Sequence, residues 1–461
     1  MTDLIASKLR RLGDELSGGF SMPGDDRYAA ATAVWAKRVD PAPRVVVHCR
    51  TPQDVQSAVR IARDCDVALS VRGGGHDWAG RALCDGIVID LRDMNAVVVG
   101  SVKTVRISGG ARAADVLAAT DPLGLVAVTG SVGAVGMAGL TLGGGYGPLI
   151  GRFGLALDNL VAAQVILADG QLVCANQHNE EELFWALRGA GGNFGVVTAM
   201  HHRLHELPSV RSGVLIYPFS EAKAVLERCA DIAAFTPDDL TVQVGFAAGT
   251  DATFVVLVVP TWCGVEGEGE ARLRPFLNLG TLLGGGVTQT SYPASLTAFD
   301  GYLVNGLRTF METCWIPALE SGSIDTMIEA MATAVSPGCA IFTHEFKGAA
   351  SSVPSGTTAF GLRRDHVLVE ILAAFVDRSN PLDERRHRQW ARATLRAFDA
   401  MALPGGYPNL LSVDEDAGRV ANSYGRSVER LIKAKRNYDP DNVFRSAIPL
   451  PGSPDISKNA A

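Results

Sequence analysis

Cysteine is scarce and unpaired in this chain of 461 residues. Eight are scattered singly, at positions 49, 65, 84, 174, 229, 263, 314 and 339, with no Cys-x-x-Cys pair. That density excludes a disulfide scaffold, and the residues read as reduced thiols that serve as small apolar core groups. No uninterrupted apolar stretch reaches the roughly 18–20 residues a membrane helix needs, which excludes a spanning protein. Lys/Arg runs are missing too: 42 basic against 49 acidic residues give a net charge of −7, which argues against nucleic acid as a partner. The start, Met-Thr-Asp-Leu-Ile-Ala-Ser-Lys-Leu-Arg-Arg-Leu, has no apolar segment of about 7–15 residues and no small-residue cleavage site. A cytoplasmic location is expected. With 47% apolar and 20% charged residues the chain is an ordinary globular one, long enough for two or three domains.

Glycine is what the chain has in excess, 50 residues in all. Positions 124–154 carry eleven of them, where the chain average gives about three. Around them, alternation and turn signals mark the elements. Val45-Val46-Val47 reads as a strand. Thr51-Pro52-Gln53-Asp54 opens a helix, with Thr as N-cap, Pro at the first helical position and Val55, Ala58, Val59 and Ala62 at helical spacing. Strands follow at 67–71 and 86–91, then at 102–107 and 125–128 around a helix at about 113–120. Asp169-Gly170 turns a hairpin between 161–168 and 171–175, and a short helix follows at 179–187. From about 210 the glycine clusters thin out, and alternating strands (213–217, 240–246, 253–259) mix with amphipathic helices (221–235, 323–334, 384–401). No repeat of 20–50 residues is visible.

Three glycine-rich segments stand out: 72–80, 130–147 and 189–195. Glycine lets backbone N–H groups converge on an anion with no Cβ in the way. Tight packing uses glycine as well, but three such segments within one unit favour a nucleotide or diphosphate cradle. None carries the Gly-Lys-Ser/Thr of a P-loop. The Gly189–Gly195 spacing follows a helix and precedes a strand, the reverse of the Rossmann order. The cradle belongs to another fold. His76 sits inside the first glycine turn without an apolar face around it, which suits a phosphate or ring contact.

Four motifs then carry a resemblance. Val71-Arg72-Gly73-Gly74-Gly75-His76-Asp77-Trp78-Ala79-Gly80 resembles the flavin-pyrophosphate loop of the vanillyl-alcohol-oxidase/PCMH superfamily. Gly143-Gly144-Gly145-Tyr146-Gly147 with Gly154-Leu155-Ala156-Leu157-Asp158-Asn159 resembles its second flavin segment, and Leu183 to Thr198 its third. Tyr438-Asp439-Pro440-Asp441-Asn442-Val443-Phe444 resembles the C-terminal motif of the berberine-bridge-enzyme-like branch.

The resemblance implies an α+β fold: a PCMH-type FAD-binding domain of two subdomains over 1–209 (core about 40–209), a substrate domain with an antiparallel sheet and helices over 210–415, and a segment over 416–461 that returns to the first domain. It implies FAD contacts from Arg72, Gly73, Gly74, Gly75, Asp77, Gly80, Gly130, Ser131, Gly136, Gly139, Thr141, Gly143, Gly144, Tyr146, Gly195, Val197, Tyr438 and Asn442. It also implies a covalent bond from His76 to the flavin 8α-methyl. The second link that many relatives form needs a cysteine where this chain has Val132, so one bond is expected. Ser446-Ala447-Ile448 departs from the Asn-rich segment that relatives often carry there, which leaves the tail's flavin contacts open.

An FAD-dependent oxidase is the leading expectation: hydride from an alcohol, amine or activated C–H passes to flavin N5, and O₂ becomes H₂O₂. A flavin-dependent oxygenase tailoring a polyketide-like secondary metabolite and a dehydrogenase with another acceptor are the alternatives. A flavin-binding protein with a dead pocket is the non-enzymatic one. Partners are then a small-molecule substrate and O₂, with monomer and homodimer both open. Glu345 is the first candidate base, because a carboxylate in an apolar strand has a raised pKa. Tyr146 and Tyr424 follow, with His344 alternating away from Glu345; Trp262 and Trp315 are candidate pocket walls, with core packing the favoured reading for each. His201, His202 and His205 lack the partners of a metal site and read as strand and surface residues.

Overall fold

The computed structural model describes residues 1–12, 16–37, 41–249, 251–297, 300, 306–376 and 381–451. Two small sheets carry the first half. One has the order Phe20–Ser21, Val45–His48, Ile87–Asp90, Leu69–Arg72, the last three parallel. Val45–His48 and Ile87–Asp90 are buried along their whole length, as parallel strands covered on both faces must be. The helix Pro52–Asp64 packs on this sheet. Asp54 N–H donates to Thr51 Oγ1 at 3.2 Å and Thr51 N–H donates to Asp54 Oδ2 at 3.0 Å, a reciprocal cap, and Val55, Ala58, Val59 and Ala62 are buried as their spacing predicts.

The second sheet is antiparallel, in the order Val97–Val99, Thr104–Ser108, Val196–Arg203, Leu160–Ile166, Leu172–Asn176. The hairpin at Asp169-Gly170 is present, with Gly170 at φ +82°. One strand differs from the sequence reading. Lys103 adopts φ +50° in a turn, so the strand expected from 102 begins at Thr104, and Val97–Val99 forms a separate edge strand before it. The glycine-dense stretch also holds a helix, Met137–Gly143. Met137, Ala138, Thr141 and Leu142 are buried there, and the helix packs on Glu181–Ala190.

Residues 210–375 build a larger, entirely antiparallel sheet. Its main path runs Gly284–Gly285, Leu215–Pro218, Phe254–Trp262, Leu240–Ala248, Cys339–Phe346, His366–Phe375, Arg308–Ile316. Helices Ala222–Ala233, Ser321–Ala332 and Pro381–Ala397 bury one face through Leu226, Ile324, Met327 and Trp390. The other face turns toward the first unit. Helices Ala417–Tyr424 and Val428–Tyr438 come back to that unit, where Tyr424, Leu431 and Ala434 share a core with Leu183 and Trp185. The α+β class expected from the sequence is what the structure shows. Residues 452–461 of the expected C-terminal segment lie outside the described residues.

Candidate active site

A cavity of about 340 Å³ lies between the glycine loops and the open face of the large sheet, within the size range of small-molecule sites. Its floor is Gly73, Gly74, Gly75, His76 and Asp77 from the first loop, Gly130, Ser131, Val132, Gly136 and Gly139 from the second, and Gly191, Gly192, Gly195 and Val197 from the third. Close approach explains the glycines. A Cβ on Gly74 would lie 2.4 Å from the Gly136 Cα, and one on Gly136 would lie 2.6 Å from the Gly74 N, so the two loops meet only because both lack side chains. Asp77 holds its own turn: its carboxylate accepts from the N–H groups of Ala79, Gly80 and Ala82 at 2.9–3.0 Å. His76 packs in a cluster with two indoles, 4.2 Å from Trp35 and 5.5 Å from Trp78 by ring centroids, the indoles being 6.0 Å from each other. Its Nδ1 is buried without a hydrogen-bond partner, and burial, with Arg112 nearby, pushes its pKa down to about 4.

The roof comes from the sheet. The register sets Phe342 opposite Glu370 and His344 opposite Leu368, so alternate residues of Cys339–Phe346 face the cavity. Phe342, His344, Glu370, Leu372 and Met311 line it, joined by Gln243, Tyr407 and Asn409. His344 Nε2 is 3.4 Å from Glu370 Oε1, and Gln243 Nε2 is 2.8 Å from His344 Nδ1. The C-terminal segment closes one side with Phe444 and with Ser446, Ala447 and Ile448, the three whose departure from the family pattern left the tail's contacts open.

Several expected site residues stand elsewhere. Glu345 falls on the helix-covered face. Its Oε2 accepts the Val242 N–H at 2.7 Å, Lys347 Nζ is 3.7 Å away, and burial raises its pKa without bringing it to the cavity. It is a satisfied buried carboxylate, not the base the sequence suggested. Tyr146 lines the cavity with its ring, but Trp315 Nε1–H donates to its hydroxyl at 3.1 Å. Its own proton goes to His366 Nε2 at 2.7 Å, because His366 Nδ1–H is committed to the Arg364 carbonyl at 2.7 Å. No proton is left there to orient a substrate.

Tyr424 is buried and donates to the Pro449 carbonyl at 3.0 Å; Tyr438 donates to Glu180 at 2.9 Å; neither lines the cavity. Arg72 turns its guanidinium away, to the carbonyls of Ala33 at 2.6 Å and Ala30 at 3.3 Å. Thr141 meets His202 at 3.3 Å, Gly143 abuts Asn409, and Gly144 abuts Tyr407 and Phe360. Gly80 and Asn442 shape turns at φ +81° and +51°. These side chains and turns support the wall from behind. Trp262 is buried away from the cavity, its indole N–H donating to the Val265 carbonyl, and Trp315 backs Tyr146. His202 lies on the strand Val196–Arg203, a strand histidine as expected, with its side chain buried, and among the described residues no group of His, Cys, Asp and Glu could hold a metal. Glu370 and Gln243 escaped the sequence reading. Their signal is the strand register, which needs both partners of the ladder.

A glycine cradle facing a sheet that presents His344, Glu370 and Gln243 defines a flavoprotein oxidoreductase site, and the comparisons agree. The chain belongs to the berberine-bridge-like branch of the PCMH/vanillyl-alcohol-oxidase superfamily of FAD-linked oxidoreductases. The family model of the FAD binding domain matches residues 43–176, and the berberine and berberine-like model matches 406–451. The chain is similar to (R)-6-hydroxynicotine oxidase of Paenarthrobacter nicotinovorans, 30% identical over 93% of this chain and 96% of that one. The solved structure of 6-hydroxy-D-nicotine oxidase from Arthrobacter nicotinovorans matches with a TM-score of 0.83 at 28% identity, covering 94% and 97% of the two chains. A variant of berberine bridge enzyme shares the fold, with a TM-score of 0.86 at 20% identity over 99% of each chain.

FAD is the cofactor of this family, and the cavity fits it on its own evidence. Two interlocked glycine loops offer bare backbone, and the Ser131 Oγ and the His76 Nδ1 are buried polar atoms awaiting partners. An unsatisfied buried polar atom costs about 1–3 kcal/mol, so a ligand that meets both is favoured.

Proposed function

We propose that the chain is an FAD-dependent oxidase of small organic molecules whose cofactor is anchored by one covalent bond, to His76. The carrying observation is the buried, partnerless His76 Nδ1 in a glycine cradle below the polar pair His344 and Glu370. Burial keeps the imidazole neutral at neutral pH, with a free lone pair. Attachment replaces one C–H bond of the flavin 8α-methyl and the imidazole N–H by a C–N bond. Two hydrogens with two electrons leave to O₂ as H₂O₂, so the step balances. Val132 occupies the floor where a second link would need a thiol.

The bound flavin supplies the two-electron acceptor, which O₂ returns to its oxidised state. The protein does the rest. Phe342, Met311, Leu372 and Trp78 give an apolar enclosure that orders a carbon skeleton and excludes water. His344 and Glu370 are the groups that take a proton from the substrate O–H, N–H or C–H, and Gln243 fixes the imidazole. Tyr407, whose hydroxyl accepts from the Asn409 Nδ2–H at 3.0 Å, supports the inner wall. The same reading keeps the three-segment organisation: 1–209 for the cofactor, 210–415 for the substrate, 416–461 as a closing segment, in the cytoplasm.

The test is a substrate screen on purified protein with peroxide detection and ¹⁸O₂. One H₂O₂ per substrate without label in the product supports the oxidase. Label in the product makes the protein an oxygenase, slow reoxidation in air makes it a dehydrogenase, and both outcomes overturn the proposal.

A further inference from the structure

The N-terminal segment before the FAD-binding match carries a contact that no sequence motif announced. Residues 33–37 run as a strap, bent at Trp35 and Ala36, along the His76 loop. Trp35 N–H donates to the Gly75 carbonyl at 2.9 Å, and Ala36 N–H donates to the Asp77 carbonyl at 3.2 Å. These bonds hold the residues on either side of His76. The opposite edge of the strap binds the substrate side: Gly306 N–H donates to the Trp35 carbonyl at 3.1 Å, and Lys37 N–H donates to the Leu307 carbonyl at 2.9 Å. Leu307 immediately precedes the strand Arg308–Ile316, which brings Met311 to the cavity. Arg72 ties the start of the strap to the strand below it through the Ala33 carbonyl, at 2.6 Å.

The side chain of Trp35 has its own task. His76 Nδ1 has no hydrogen bond to fix the ring about its Cβ–Cγ axis. The imidazole plane is set instead by packing against two adjoining indoles, Trp35 at 4.2 Å and a 42° tilt and Trp78 at 5.5 Å and 87°, whose own centroids are 6.0 Å apart. Aromatic contacts of this kind contribute about 0.5–1.5 kcal/mol beyond area burial and are directional. Removing the nearer wall lets the ring explore other rotations, most of which point the nucleophilic nitrogen away from its target, and a misplacement of about 1 Å lowers a rate by on the order of 10²-fold.

We propose that Trp35 is a positioning residue for covalent attachment at His76, holding the imidazole in its linking orientation while the strap joins the cofactor loop to the substrate sheet. This rests on the covalent role of His76. The backbone bonds of the strap do not depend on the indole, so side-chain substitution separates ring orientation from strap docking.

The experiment uses full-length protein made in flavin-depleted cells. FAD is added, and the acid-stable fraction of bound flavin is followed over time by mass and absorbance, next to total bound flavin and Tm. Wild type is expected to approach one acid-stable flavin per chain, and His76→Ala none. Trp35→Phe is expected to link within about threefold of the wild-type rate, and Trp35→Ala and Trp35→Leu at least about tenfold slower with total bound flavin retained. Trp35→Leu keeps apolar bulk, so its slow linkage at a Tm within about 2 °C of wild type assigns the loss to ring orientation. Linkage at the wild-type rate in either the Ala or the Leu variant overturns the role of Trp35. So does slow linkage in Trp35→Phe equal to that of Trp35→Leu. Wild type with no acid-stable flavin overturns the covalent role of His76 itself, which is a separate failure.

Discussion

His344 Nε2 and Glu370 Oε1 stand 3.4 Å apart on adjacent strands, on the face of the large sheet that looks into the cavity, while Glu345, next in sequence to His344, looks the other way. One residue of strand parity separates a carboxylate that can reach a substrate from one that holds a backbone N–H.

Replacing each carboxylate tells them apart. Glu370→Gln is expected to slow flavin reduction by a substrate from the peroxide screen by at least about tenfold, within the range of a lost acid–base group, with Tm nearly unchanged. Glu345→Gln is expected to leave that rate within about threefold and to lower stability by about 1–3 kcal/mol, through the disturbed Val242 and Lys347 contacts. Stopped-flow reduction without oxygen, with calorimetry beside it, gives both readings. A slow Glu345→Gln and a normal Glu370→Gln would reverse the assignment.

The two loops that meet at Gly74 and Gly136 make a second prediction. Gly74→Ala sets a Cβ 2.4 Å from the Gly136 Cα, so the loops must part. Total bound flavin is expected to fall at least about tenfold, since one loop contact of a few kcal/mol corresponds to that factor or more. Gly133→Ala, whose added Cβ would meet only the Ala114 side chain at an ordinary 3.5 Å, is expected to bind as wild type. Flavin content of the purified variants, read by absorbance, decides it.

Stability should fall in acid. Burial holds His202 at a pKa of about 4 and His366 at about 3, below the roughly 6.5 of an unfolded histidine. The unfolded chain therefore binds more protons, and the stability these groups confer is complete above about pH 6.5 and declines as the pH drops toward 4 and 3. Tm measured from pH 7.5 to 4 is expected to decrease. His202→Gln, which keeps an acceptor for Thr141, is expected to show a shallower decline; an unchanged slope would remove His202 from the account.

Local rules were legible in the sequence. The Thr51 cap with Pro52 and Asp54, the Asp169-Gly170 hairpin and the three glycine loops each follow from residues close in the chain. What stayed hidden depends on distant partners. Tyr146 looks like a substrate-orienting phenol until His366, 220 residues away, takes its proton. Tyr438 sits in a cofactor-associated motif, yet its hydroxyl is bound by Glu180. Glu345 and His344 differ only in which face the ladder with His366–Phe375 assigns them, and alternation alone fixes the pattern but not its phase. Trp35 precedes every recognised motif and reaches His76 only through the fold.

The most direct measurement is peptide mapping of acid-denatured, washed protein. The account predicts one FAD per chain retained on the peptide that contains His76, with no flavin on any cysteine peptide, and loss of that adduct in His76→Ala. Flavin found only in the supernatant of wild-type protein, or attached to another residue, would contradict it.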